Sequence, residues 1–425
     1  MFLSQKIKYI YCCLWCLLVA VPIHAQYEED EIVEDSDTIT TDSLWADSLI
    51  IRNDTLSWPQ NVQAEIDRLL KHDMFQTSQL GLMIWDLDAD SAIYRFNERQ
   101  LMRPASTMKA ITAITALDRL GGSYQFKTEL CYTGQVDGCV LNGDVYCVGG
   151  FDPRFNTDDM RAFVEALNKM GIDTIRGNIY SDKSMKDDKA FGEGWCWDDD
   201  NPVLSPLLIS RKDQFMELFY TKLRQGNIYL TGAIGEKRKP QEANCIVRRF
   251  HTIDQILMRM MKESDNLYAE AMFYQLAAAT GNRPASAKSA RSVIRQLVNK
   301  LGLDGSRYQF ADGSGLSLYN YISAELLTRL LRYAHNNENI YNHLLPSLPI
   351  AGQDGTLKRR MQSQFTRGNV RAKTGTVTGV SSLCGYLTAT NGHHICFCII
   401  NQGVMHGRNG RKFQDKVCSI LCSPQ

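Results

Sequence analysis

The sequence predicts an α+β fold: an antiparallel sheet flanked by helices, with a smaller domain inserted into it. Three observations lead there. Strand-like alternation occurs towards both ends of the chain, helical periodicity fills the second half of its middle, and from Lys127 to Ile246 the texture changes to short alternating runs. A chain of 425 residues, 44% of them hydrophobic, has ample apolar surface for more than one compact unit. The expected organisation is a body built from 58–126 and 247–425, with 127–246 inserted.

Before the body come two segments of different character. Lys6 and Lys8 precede an apolar run from Tyr9 to Pro22, followed by Ile23-His24-Ala25. That order of basic, apolar and small residues predicts a signal peptide over 1–25 and export of the remainder as a soluble or peripherally membrane-associated protein, periplasmic or otherwise extracytoplasmic. The run is short for a membrane span, though an uncleaved N-terminal anchor is the alternative. Residues 26–57 form an acidic leader. Nine Asp or Glu and no Lys or Arg lie between Tyr27 and Ile51, so this stretch repels itself and has little to bury. The whole chain has 47 basic and 47 acidic residues, and the remainder beyond these two segments is left at about +7, an ordinary surface charge.

Within the body, Val62 to Leu70 is amphipathic, and Gly81 to Phe96 alternates like a strand pair. Pro104 to Leu120 reads as a helix with proline at its start and Gly121-Gly122 at its end. In the inserted part, Asn142-Gly143 suggests a hairpin, Asp158 to Met170 a helix, Ile175 to Ser181 a strand, and Gly192 to Asn201 a structured loop. Helical patterning returns at Thr252–Lys262, Leu267–Ala279, Ser286–Lys300 and Ala324–His335. Val370 to Gln402 reads as two strands joined at Asn391-Gly392, and a last helix runs from about Arg408 to Leu421. Ten of the 13 cysteines follow the signal segment, and their spacing fixes no pairing. Beyond the signal segment no CxxC pair occurs, and the chain has no HExxH motif, so no metal and no other cofactor is expected.

Three short motifs carry the chemistry, and each occurs once. In Ser106-Thr107-Met108-Lys109, positions three apart share a helix face, so the Lys109 amine can reach the Ser106 hydroxyl. Serine needs a neighbouring base to act as a nucleophile, and a lysine serves only when its surroundings keep it neutral. Ser264-Asp265-Asn266 falls between two helical segments, where a tight turn can aim Ser264 and Asn266 into a cleft; the plainer reading is a helix N-cap. Lys373-Thr374-Gly375 opens a predicted strand, with Gly375 expected to let a substrate peptide lie close. The order Ser-x-x-Lys, Ser-Asp-Asn, Lys-Thr-Gly resembles the set shared by penicillin-binding proteins and class A β-lactamases.

Longer stretches between Gly81 and Gln402 resemble the class C low-molecular-weight penicillin-binding proteins, the D-alanyl-D-alanine carboxypeptidase/endopeptidase group. The stretches are Gly149-Gly150-Phe151-Asp152-Pro153, Trp195-Cys196-Trp197-Asp198-Asp199, Ser264 to Glu270, Asp312-Gly313-Ser314-Gly315-Leu316-Ser317, and Gly355-Thr356-Leu357 with Arg360. In this family extra domains separate the first two motifs, and here Ser264 follows Ser106 by 158 positions. That interval leaves room for one insertion domain, with a further one missing or reduced.

The resemblance implies a β-lactamase/transpeptidase-like body, and Ser106, Lys109 and Ser264 as catalytic residues. It implies an oxyanion hole from the backbone N–H groups of Ser106 and Thr376, and substrate contacts from Asn266, Lys373, Thr374, Gly375 and Thr376. Asp198 or Asp199 would meet an amino group of the peptide. Peptidoglycan stem peptides are the implied substrate and β-lactams the inhibitors, with neither nucleic acid nor metal as a partner. A homo-oligomer is neither indicated nor excluded by any motif. One departure stands out: Leu318 occupies the place where the family commonly has an arginine, which puts stem-peptide preference in question. Two other functions share the same fold, a β-lactamase and a catalytically silent wall-binding scaffold. No Glu-x-x-Leu-Asn follows the second motif, which argues against the class A lactamase.

Overall fold

The structure is a computed structural model that describes residues 53–197 and 201–424. The signal segment and nearly all of the acidic leader lie outside the described residues, as do Asp198 and Asp199. Among the described residues no helix is long and apolar enough to cross a membrane.

Along the chain, helices α1 (Trp58–Leu69) and α2 (Met74–Thr77) precede strands β1 (Gln79–Asp86) and β2 (Ser91–Phe96). A 3₁₀ turn over Ala105–Thr107 leads into α3 (Met108–Leu120). Then come β3 (Gln125–Tyr132), β4 (Gln135–Asp137), β5 (Val140–Asn142), β6 (Val145–Gly149), α4 (Thr157–Lys169), β7 (Thr174–Arg176) and β8 (Ile179–Asp182). Next are α5 (Phe215–Gln225), β9 (Tyr229–Leu230), β10 (Ile234–Glu236) and β11 (Asn244–Thr252). Helices α6 (Ile253–Lys262), α7 (Asn266–Ala278), α8 (Ala287–Lys300), α9 (Ala324–His335) and α10 (Glu338–Ser347) follow. The chain closes with β12 (Arg371–Val377), β13 (Val380–Thr388), β14 (His394–Gln402) and α11 (Gly407–Cys422).

Both ends of the chain build one antiparallel five-stranded sheet in the order β12-β13-β14-β1-β2. The unbroken apolar run of β14 has its cause in burial on both faces. Cys396, Cys398 and Ile400 point into the core under α3, α7 and α9, while Ile395, Phe397 and Ile399 pack against α1 and α11. Val370 to Gln402 therefore holds three strands rather than two. The missed turn is Thr378-Gly379, where Val377 pairs directly with Val380 and Gly379 takes a φ of +74°.

The segment after α3 contains two further sheets, a five-stranded one in the order β10-β8-β6-β3-β11 and a four-stranded one in the order β4-β5-β7-β9. The expected hairpin at Asn142-Gly143 is not one, because β5 and β6 belong to different sheets. The tight turn lies instead at Gly138-Cys139, between Asp137 and Val140. Likewise, Ile175 to Ser181 is two strands, β7 and β8, split between the sheets. Three chain segments change sheet side by side at Gly143, Gly177 and Gly232. A Cβ on Gly177 would lie 2.2 Å from the Gly143 carbonyl oxygen, and one on Gly232 would lie 2.0 Å from that of Gly177. Only glycine allows three backbones to stack this closely.

Candidate active site

The edge strand β12 of the first sheet, the turn before α3 and the junction of α6 with α7 bring the three motifs to one place. Ser106 sits in the 3₁₀ turn at the start of α3, after Ala105, whose φ of +47° is uncommon for a residue with a Cβ. Such strained residues concentrate where the surroundings hold a reactive side chain in place. One turn on, Lys109 is completely buried, and its Nζ donates to Ser106 Oγ at 2.9 Å, Asn266 Oδ1 at 2.7 Å and the Ser314 carbonyl at 2.8 Å. All three acceptors are uncharged. Burial brings the Lys109 amine down from its usual value to about 7, against the raising pull of Asp312 and Glu270 further off.

The second motif turns sharply at Ser264, which has a φ of +58°. Asp265 caps α7 through its Oδ1, accepting from the backbone N–H groups of Leu267 and Tyr268. Its other oxygen holds Arg259 at 2.8 Å and also Arg211, from the loop before α5. The N-cap reading of this motif therefore holds for Asp265. Asp265 fixes the turn, and the turn presents Ser264 to Lys373 and Asn266 to Lys109.

Lys373 on β12 is also fully buried, with its Nζ donating to Ser264 Oγ at 2.8 Å and to the Thr374 carbonyl at 2.8 Å. Burial, and then the nearby Lys109, hold its amine well below the usual lysine range. The hydroxyl of Thr374 donates to that of Thr356 at 2.7 Å. Gly375 has a different reason from the one expected. A Cβ there would meet Ser382 Oγ at 2.2 Å, the Pro104 carbonyl at 2.8 Å and the Ser106 nitrogen at 3.0 Å, so its glycine serves the close approach of β12 to the serine turn itself. β12 is an edge strand. The Ala372 N–H points off that edge to the Pro349 carbonyl, and alternation directs the N–H groups of Thr374 and Thr376 the same way. The exposed Thr376 thus offers a backbone donor beside the Ser106 turn.

A buried acidic layer supports this arrangement from below. Asp312 accepts from Trp195 Nε1, Ser314 Oγ, Asn320 Nδ2 and the backbone N–H groups of Gly315 and Ser317. Glu270 accepts from the backbone N–H groups of Gly313 and Ser314 at 3.0 and 2.8 Å. Burial, with Asp312 as neighbour, raises its carboxyl to about 8. These acids hold the loop that offers the Ser314 carbonyl to Lys109. Glu270 and Asp312 were visible as motif letters, but their task was not, because it depends on contacts far apart in sequence. In two of the other resembling stretches, Asp152 meets His251 at 2.7 Å and Arg360 meets Asp415 at 2.6 Å. Leu318 contributes its carbonyl, which accepts from Arg103 Nε at 3.1 Å.

Known proteins share both sequence and fold with this chain. It is 25% identical over 415 residues to a D-alanyl-D-alanine carboxypeptidase (DacB) of Haemophilus influenzae, covering 78% of this chain and 86% of the relative. A D-alanyl-D-alanine carboxypeptidase of Actinomadura is 25% identical over 440 residues, covering 80% of this chain and 81% of the relative. The crystal structure of penicillin binding protein 4 from Haemophilus influenzae superposes with a TM-score of 0.77 at 23% identity, covering 83% of this chain and 98% of that one. The family model described as the D-Ala-D-Ala carboxypeptidase 3 (S13) family matches residues 62–210 and 207–422, and the chain belongs to that family.

Proposed function

We propose that the chain is a serine D-Ala-D-Ala carboxypeptidase or DD-endopeptidase that acts on peptidoglycan stem peptides and is acylated by β-lactams. The observation that carries this reading is the Lys109 amine, buried, hydrogen-bonded to Ser106 Oγ and brought to about 7. Ser106 Oγ attacks the carbonyl of the penultimate D-Ala while neutral Lys109 accepts its proton. The backbone N–H groups of Ser106 and Thr376 hold the oxyanion, each such donor being worth about 2.7–4 kcal/mol in comparable enzymes. Ser264 relays a proton to the leaving amine, and Lys373 with Thr374 and Thr376 holds the terminal carboxylate. Asn266 serves a substrate amide and steadies Lys109. Water then frees the acyl group. A free D-Ala leaving group makes the reaction a carboxypeptidase's, and a cross-link amine makes it an endopeptidase's.

Asp198 or Asp199 remains proposed for the substrate's amino group, on the sequence pattern alone. The basic and apolar N-terminus supports export to an extracytoplasmic compartment, where the wall substrate is found. The body is proposed as 58–126 and 247–425, with 127–246 inserted.

The test is incubation with a fluorescent penicillin, beside Ser106→Ala, followed by mass spectrometry. A stable adduct on Ser106, absent from the variant, is the expected result. Labelling that survives in Ser106→Ala overturns the nucleophile. Rapid drug hydrolysis without an adduct identifies a β-lactamase, and intact drug without an adduct identifies a silent scaffold.

A further inference from the structure

Cys131 on β3 and Cys245 on β11 stand directly opposite each other. Their sulfur atoms and a Glu129 carboxylate oxygen all lie within 4.8 Å of one another. Opposed residues on an antiparallel pair have Cα atoms about 4.5–5.5 Å apart, inside the roughly 4.4–6.8 Å that a disulfide spans. Cys384 and Cys398 are also opposed, on β13 and β14, but both are completely buried in the central sheet where an oxidant has no access. Cys245 differs in being exposed, while Cys131 beside it is buried.

We propose that Cys131 and Cys245 are a modification site, forming a cross-strand disulfide once the chain reaches an oxidising compartment. The bond fastens β3, by which the chain enters the segment of the two smaller sheets, to β11, by which it leaves. β11 runs directly into α6, and α6 leads to Ser264, so the bond also anchors the root of the second motif. The inference rests on the proposed export and is independent of the catalytic assignment.

The chemistry needs an oxidant that itself carries a disulfide, either a thiol oxidoreductase or oxidised glutathione. Burial pushes the Cys131 thiol up to about 12, so the exposed Cys245 reacts first. Its thiolate attacks the oxidant, forming a mixed disulfide and releasing one thiolate. Cys131 gives its proton to that thiolate, and its sulfur then displaces the second oxidant sulfur from Cys245. Two protein thiols lose two protons and two electrons, and the oxidant's disulfide becomes two thiols.

The test compares mature protein purified without reductant from an oxidising compartment with protein made in the cytoplasm and treated with oxidised glutathione. Free thiols are blocked under denaturing conditions before digestion and mass spectrometry. Both preparations are expected to yield one peptide pair joining Cys131 to Cys245, about 2 Da lighter than the two thiol forms, which dithiothreitol separates. Cys245→Ser should abolish that pair, leave Cys131 open to alkylation after denaturation, and retain penicillin labelling on Ser106. A bond in the glutathione-treated sample alone overturns the exported-state claim while leaving the geometry intact. Full alkylation of both residues in both samples overturns the pairing, as does linkage of either residue to another cysteine. Stoichiometric metal that co-purifies, and whose removal by chelator exposes both thiols, overturns it in favour of a metal site with Glu129.

Discussion

Lys109 and Lys186 are both lysines with fully buried side chains, yet they are solvated by the protein in different ways. Lys186, in the segment of the two smaller sheets, has a counter-ion: Asp187 Oδ1 at 3.0 Å, with the face of Tyr274 at 4.6 Å. Buried Asp159, in the same segment, is likewise held by a cation, Arg249 at 2.8 Å. Lys109 touches only neutral oxygens, and Lys373 does the same. Burial lowers both Lys109 and Lys186, but only at Lys186 does a contacting carboxylate work against it. An ion held by an opposite charge is a fastener, whereas an amine held by hydroxyl, amide and carbonyl groups is ready to exchange its proton. The difference separates the two kinds of burial without reference to any motif.

The contrast is most exposed to failure at Lys109. Lys109→Ala should slow acylation by penicillin about 10²- to 10⁴-fold, the usual contribution of a positioned general base, or roughly 3–5 kcal/mol. Near-normal acylation would remove Lys109 as the base. In the wild type, acylation should fall with decreasing pH below about 7, as Lys109 becomes protonated and can no longer accept the Ser106 proton. A rate independent of pH from 5 to 8 would contradict that role.

Lys186→Met sharpens the other side of the comparison. Removing one partner of a partly buried pair should lower stability by about 1–3 kcal/mol, read by urea unfolding. Acylation of the folded protein should stay at the wild-type rate. Loss of acylation comparable to that of Lys109→Ala would show that the two burials are not different in kind.

How far this was legible in the sequence follows from the range of each contact. Ser106 and Lys109 are one helical turn apart, so their hydrogen bond could be anticipated from spacing alone. The sheet made from both ends of the chain was legible in the alternation of Gly81–Phe96 and of the C-terminal strands. The acceptor at Ser314 was not, since that carbonyl lies 205 positions from Lys109 and reaches it only through the loop held by Glu270 and Asp312. Gly375 was assigned to the substrate because nothing local reveals that Pro104 and Ser106 press against it. Asn142-Gly143 carries a hairpin's letters, but three stacked sheet crossings claimed it instead. Helices α5 and α10 went unread for a plainer reason: no strong capping signal marks α5, and Pro346 interrupts the pattern of α10. Local chemistry was legible, and tertiary competition for the same residues was not.

Glu270 tests the comparison from the acidic side, with the smallest expected change in acylation. It is a buried acid whose hydrogen bonds come from backbone N–H groups and not from a cation. Its carboxyl rises from 4.5 to about 8, because burial and the neighbouring Asp312 disfavour the charge more than the Ser314 hydroxyl and the two N–H groups favour it. Between those two values the folded state holds a proton that the unfolded state has released. Glu270 therefore contributes stability that is fully present below about 4.5 and is lost as pH rises through about 8. Glu270→Gln keeps an oxygen to accept from Gly313 and Ser314, places an amide where the acid proton was, and cannot ionise. The variant should acylate at the wild-type rate near pH 6 and lose part of the decline in stability between pH 5 and 8.5, a slope that one such group can make as steep as about 1.4 kcal/mol per pH unit. Urea midpoints at several pH values read it directly. A parallel decline in both proteins would mean that Glu270 is ionised in the fold, with its charge balanced by a protonated Lys109. That result would turn the uncharged cradle of Lys109 into a long-range ion pair and erase its contrast with Lys186.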